Sequence, residues 1–176
     1  MRRALFAAVA AVALAATSAA SIRPSELNGT IAAREPHGVA SLTWLFLTAY
    51  DARLWMDAPT WSMDVAFALS IDYRMSFTRE ELAERTIDEM RKVSPDLTPA
   101  MLARFGVSLS KVYPAVKSGD RVTALHTPGR AVRFYHNGRM TGEVEDPAFA
   151  APFFGIWLSP KTSEPALRAG LLRLSR

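Results

Sequence analysis

Two hydrophobic periods run along the chain, and they change over at Thr78. Before it, Val65, Phe67, Leu69, Ile71, Tyr73 and Met75 alternate with Ala66, Ala68, Ser70, Asp72, Arg74 and Ser76, the pattern of a strand with one buried face in an antiparallel sheet. Upstream, "LTWLFLTAYDARLWM" over residues 42–56 also reads as a strand. Its even face, Leu42, Trp44, Phe46, Thr48, Tyr50, Ala52, Leu54 and Met56, is apolar except for Thr48. Its odd face begins with Leu45 and Leu47, then turns polar at Asp51 and Arg53 before Trp55. One face therefore packs throughout, while the other passes from apolar to charged.

After Thr78 the period becomes helical. "TREELAERTIDEMRKV" opens with Thr78 as N-cap and Glu81 three residues on, a capping box. Leu82, Thr86, Ile87, Met90 and Val93 fall on one stripe of that helix. A second helix is predicted from Thr98 as cap and Pro99 at the first helical position, with Leu102, Phe105, Leu109 and Val112 as its buried stripe.

Short strands follow in "RVTALHT", "AVRFYHNG" and "RMTGEV", with Asn137-Gly138 as a hairpin turn. "EDPAFAAPFFGIWL" is apolar nearly all round and predicts a buried helix capped by Asp146 with Pro147 at its first position. "SEPALRAGLLRLSR" predicts a last amphipathic helix capped by Ser163. Residues 21–40 hold Pro24, Gly29, Pro36 and Gly38 and read as an extended entry with turns. The order is long strands, a helical pair, a meander, then helices. That is α+β, a long antiparallel sheet packed against a layer of helices.

Composition changes this picture at the N-terminus. "MRRALFAAVAAVALAATSAA" has two arginines, an uncharged run, and small residues at Ser18 and Ala20, the layout of a cleavable signal peptide over residues 1–20. The remaining chain, residues 21–176, is the length of one domain with a full core. Without Arg2 and Arg3, 19 basic residues face 17 acidic ones, interspersed, with no nucleic-acid footprint. The absence of cysteine excludes disulfides, thiolate catalysis and zinc-thiolate sites. An Arg-Ala-rich leader on a cysteine-free chain points to a bacterial protein, periplasmic or secreted, that meets the membrane only through its export signal.

The usual catalytic signatures are missing: there is no G-x-S-x-G, H-E-x-x-H, phosphate loop or dinucleotide fingerprint. His37, His126 and His136 are too scattered to predict a metal site. No cofactor is expected, and the sequence names no protein partner.

Taken together, "LTAYDARLW", "FALSIDYRMSFTREELAERTIDEM" and "GDRVTALHTPGRAVRFYHNGRMTGEVEDPAFAAPFFGIWLSPKTSEPALR" resemble the chalcone isomerase-like family, in a bacterial exported form. The resemblance runs from about Gly38 to the C-terminus and is most specific over Gly119 to Arg168. It implies an open-faced sandwich with a ligand cleft between sheet and helices. Plant members isomerise chalcones, and related plastid proteins bind fatty acids without catalysis. The resemblance places Thr48 on the enzymes' strand threonine. It places Leu82 where the enzymes have tyrosine and Glu89 where they have asparagine. The late threonine falls near Gly155, and the catalytic arginine near Pro36, with Arg34 the nearest arginine.

A cleft without those phenol and amide donors does not orient a polyphenol as the enzymes do. The expectation is therefore a non-catalytic domain that binds a small amphipathic or lipid-like anion. Arg34, Thr48, Asp51 and Arg53 are the candidate contacts, with Arg53 or Arg34 gripping the anion through its planar fork and Asp51 fixing the guanidinium. The plainer reading of Asp51 and Arg53 is an ion pair at the sheet's polar edge. The alternatives are an isomerase or intramolecular lyase on another substrate, and an envelope protein with a filled core that binds a partner.

Overall fold

The computed structural model describes residues 23–44 and 46–174; the signal peptide expected at residues 1–20 lies outside them. Six strands form one antiparallel sheet in sequence order: β1 (Gly38–Trp44), β2 (Leu47–Met56), β3 (Phe67–Tyr73), β4 (Arg121–His126), β5 (Val132–His136) and β6 (Arg139–Val144). Between β3 and β4 lie α1 (Arg79–Val93) and α2 (Pro99–Val112). After β6 come α3 (Ala150–Leu158) and α4 (Pro165–Leu172).

The stretch 42–56 is two strands, not one. Trp44 pairs with Leu47, and the chain reverses through Phe46, whose φ of 68° is left-handed. No glycine, proline or asparagine marks this reversal, so the hydrophobic alternation runs straight through it. A second irregularity follows at once. Leu42 pairs with Tyr50 but Thr43 pairs with Thr48, which leaves Ala49 as an extra residue in β2, a β-bulge. Likewise, the strand expected from Val65 to Met75 is hydrogen-bonded only over Phe67–Tyr73. Val65 and Met75 lie in the flanking loops, half-buried.

Local signals elsewhere are realised atom by atom. Thr78 Oγ1 accepts from Glu81 N, and Thr78 N donates to a Glu81 carboxylate oxygen. Thr98 caps α2 with Pro99 at its start, and Leu102, Phe105, Leu109 and Val112 are its buried residues. Asn137 and Gly138, with φ of 50° and 84°, make the predicted tight turn between β5 and β6. Two caps differ from expectation. Asp146 accepts from Ala148 N and holds a turn, so that α3 begins at Ala150. Ser163 does not cap α4; its hydroxyl donates to Glu89 instead.

The helices cover one face of the sheet, and the main core lies between them, including Leu54, Phe67, Leu69, Phe105, Phe134, Phe149, Phe153 and Phe154. Burying each such side chain contributes about 1.5–3 kcal/mol. The α4 helix crosses β1 so closely that a Cβ on Gly38 would collide with the Leu171 carbonyl, which is why that position is glycine. On the other face, Leu27 and Ile31 of the N-terminal segment pack on Trp55, Ala68 and Leu125. That segment is tied down where Asp57 accepts from Ala32 N and Ala33 N at 2.9 and 2.6 Å.

Candidate functional site

Between the helices and the sheet lies a cavity of about 430 Å³. Its floor is the helix-side face of the sheet, with Leu69 and Ile71 from β3, Val122 and Ala124 from β4, and Phe134 from β5. Its roof is Leu82 and Thr86 of α1, Phe153, Ile156 and Trp157 of α3, and Leu167 of α4. Small residues at Ala49 and Ala124 leave space that larger side chains would fill. The bulge adds to this, since Ala49 and Tyr50 are neighbours in sequence and both line the cavity.

Three phenols belong to this wall. Tyr50 and Tyr73 are direct cross-strand partners, their rings edge-on with centroids 6.1 Å apart. Tyr113 follows α2. The Tyr50 hydroxyl accepts from Trp157 Nε1 at 3.0 Å. Thr86 Oγ1 donates to the Leu82 carbonyl at 2.7 Å, so the Tyr113 hydroxyl, 3.0 Å from Thr86 Oγ1, is the donor of that pair. The Tyr73 hydroxyl makes no hydrogen bond among the described residues. Burial keeps all three protonated. It pushes the Tyr50 phenol up to about 12 despite the Trp157 hydrogen bond, and it raises Tyr73 and Tyr113 as well.

The rim is charged. Glu81, Arg85, Glu89, Ser163 and Glu164 line it, three carboxylates to one guanidinium. Arg85 bonds Glu89 at 2.9 Å. Glu89 also accepts from Lys92 at 2.8 Å and from Ser163 at 2.7 Å. Burial works to raise the Glu89 carboxyl, but those two hydrogen bonds and the Arg85 and Lys92 charges outweigh it and hold it below the usual range.

None of the four residues singled out from the sequence lines this cavity. Arg34 is exposed on the N-terminal segment. Thr48 is exposed beyond the bulge, which resets the alternation that put it on the face of Tyr50. Asp51 and Arg53 point to the opposite face of the sheet, as alternation requires with Tyr50 facing the helices. They also do not pair with each other. Asp51 accepts from Ser41 and Arg74, both at 2.6 Å. Arg53 pairs with Asp72, whose other oxygen takes Arg121 Nε at 2.6 Å. The odd charges in an apolar strand thus belong to a cross-strand network on the face away from the helices.

The cavity residues that the sequence did not single out were concealed by type. Tyr50 and Tyr73 sit in apolar stripes and read as core. The signal that did point here was the resemblance: Leu82 and Glu89, the positions it set against the enzymes' tyrosine and asparagine, both line the cavity.

Comparison with known proteins gives the fold a lineage. A family model described as chalcone isomerase-like matches residues 9–173. Among solved structures, a fatty-acid binding protein of Arabidopsis thaliana superposes with a TM-score of 0.56 at 11% identity, covering 78% of this chain and 85% of its own. No curated protein matches the chain.

Proposed function

The chain belongs to the chalcone isomerase-like family, and we propose that it binds a small amphipathic, lipid-like molecule in the cavity between sheet and helices without converting it. The observation that carries this reading is the cavity itself. About 430 Å³ of space with an apolar floor and roof and a few convergent polar groups fits a small-molecule site. The solved neighbour is named as a fatty-acid binding protein, which is consistent with an apolar ligand.

The case against turnover rests on the wall. The resemblance sets Leu82 where the enzymes have their phenol. The three phenols the wall does carry, Tyr50, Tyr73 and Tyr113, are kept neutral by burial, so none serves as a base. Glu89, the wall's buried carboxylate, is held below the usual range by its partners, which makes it a weak general base. Export follows from the leader: cleavage after Ala20 delivers the domain to the periplasm or medium, and N-terminal sequencing of the exported chain should begin at Ser21.

Mass spectrometry of the purified protein, native and then denatured, tests the binding reading. A lipid-sized mass released on denaturation supports it. A chain that carries no such mass and takes up no added alkyl compound overturns it, in favour of an envelope protein that binds a partner.

A further inference from the structure

The cavity's polarity is arranged inside out for a carboxylate ligand. The rim carries three carboxylates against one arginine, and that arginine is already paired with Glu89. On the sheet, by contrast, Tyr50 and Tyr73 stand side by side as cross-strand partners. Both have hydroxyl hydrogens with no acceptor among the described residues. Tyr50 uses its oxygen to accept from Trp157, which leaves its O–H free to donate. Tyr73 is 7% exposed and lines the cavity.

Two phenol donors in an apolar wall match one neutral oxygen with two lone pairs. Resting on the binding reading above, we propose that the ligand's polar end is an uncharged carbonyl oxygen, that of a ketone or ester, received by the Tyr50 and Tyr73 hydroxyls rather than a carboxylate held by an arginine. A carboxylate would also accept from these phenols, but it would enter a buried site near Glu164 and Glu89. There, among the described lining residues, the one cation, Arg85, is already paired with Glu89. Burial, with the Glu164 and Glu89 charges, resists forming a phenolate at Tyr50, the Trp157 hydrogen bond and the Arg85 charge offsetting it only in part. The same balance works against an anionic head there. A neutral carbonyl meets no such charge penalty and accepts from hydroxyls that have no acceptor among the described residues.

The test is competition against an environment-sensitive fluorophore bound in the cavity, at pH 8, with three ten-carbon probes: 2-decanone, decanoic acid and decane. The ketone should bind about tenfold more tightly than either of the others. The acid should gain on it as pH falls through the acid's own titration, because only its protonated form suits the site. Tyr73→Phe should cost the ketone about fivefold and leave decane unchanged; Tyr50→Phe should do the same. Thermal unfolding confirms that each variant is folded.

An acid that outcompetes the ketone at pH 8, and loses that advantage in Arg85→Ala, overturns the inference and puts an anionic head at the rim. Equal affinity for ketone and decane also overturns it, while leaving the binding reading intact. Failure of all three probes to bind overturns both.

Discussion

The two faces of one sheet handle polar residues in opposite ways. Away from the helices, charged groups are paired across strands, although Arg53 Nε and the buried Thr123 hydroxyl have no partner among the described residues. Cross-strand neighbours Asp51, Asp72 and Arg121 form one row, and Arg53 with Ser70 and Thr123 the next. The Asp72 carboxylate joins Arg53 to Arg121, and Ser70 accepts from Trp55 Nε1 at 2.9 Å. Towards the helices, polar groups are few and incompletely used, and they border empty space. The first arrangement joins neighbouring strands and holds the sheet; the second leaves donors for a guest. Charge marks the structural face here, and buried phenols mark the candidate site.

Removing the charged hub gives the largest expected effect. Asp72→Ala takes away the carboxylate shared by two partly buried guanidiniums and should cost about 3 kcal/mol in urea unfolding. Ligand affinity of the folded variant should stay within twofold of wild type. A tenfold loss would show that the two faces are coupled and would break the comparison.

The reciprocal change acts on the helix side. Ala124→Phe places a ring into the cavity floor and should abolish binding of alkyl probes in the competition assay. Its stability cost should be only about 1 kcal/mol, because space is already there for the ring. Wild-type affinity in this variant would place the ligand elsewhere.

How much of this was legible in the sequence depended on the range of the interaction. Helix caps at Thr78 and Thr98, the stripe of α2 and the turn at Asn137-Gly138 are decided within a few residues, and they were readable. The reversal at Phe46 was not, because the residues there carry none of the usual turn chemistry and are set by strand pairing. The bulge at Ala49 is likewise a property of two strands, and it moved Thr48 off the face that alternation gave it. Asp51 and Arg53 drew attention because charge in an apolar run is conspicuous. Their partners, Arg74 and Asp72, were invisible until β2 and β3 were in register. Tyr50 and Tyr73 failed to draw attention for the converse reason. A tyrosine in an apolar stripe looks like packing until its hydroxyl is found beside a cavity.

Glu89 tests the boundary between the two regimes, since it lines the rim yet is fully engaged. Glu89→Gln should cost about 2 kcal/mol at neutral pH through weakened bonds to Lys92, Ser163 and Arg85. Its folded pKa is depressed, so its stabilising contribution is present above the unfolded carboxyl value of about 4.3. That contribution is lost as pH falls through the lower folded value. Urea midpoints of wild type and variant should therefore differ at pH 7 and converge towards pH 2. A difference that persists in acid would mean that Glu89 acts by packing rather than charge.

The smallest expected effects separate a polar group that holds the fold from one that awaits a ligand. Tyr113→Phe deletes the donor to Thr86, whose oxygen is then left without it inside the core, at a cost of about 1 kcal/mol. Tyr73→Phe deletes a hydroxyl with no partner among the described residues, so the unliganded protein should lose nothing and can gain a few tenths of a kcal/mol. Thermal unfolding of the two single variants, each without and with saturating 2-decanone, makes the contrast quantitative. The ligand should raise Tm in wild type and Tyr113→Phe by similar amounts and in Tyr73→Phe by less. If Tyr73→Phe destabilised the unliganded protein as much as Tyr113→Phe does, its hydroxyl would be part of the scaffold rather than a donor kept for a ligand.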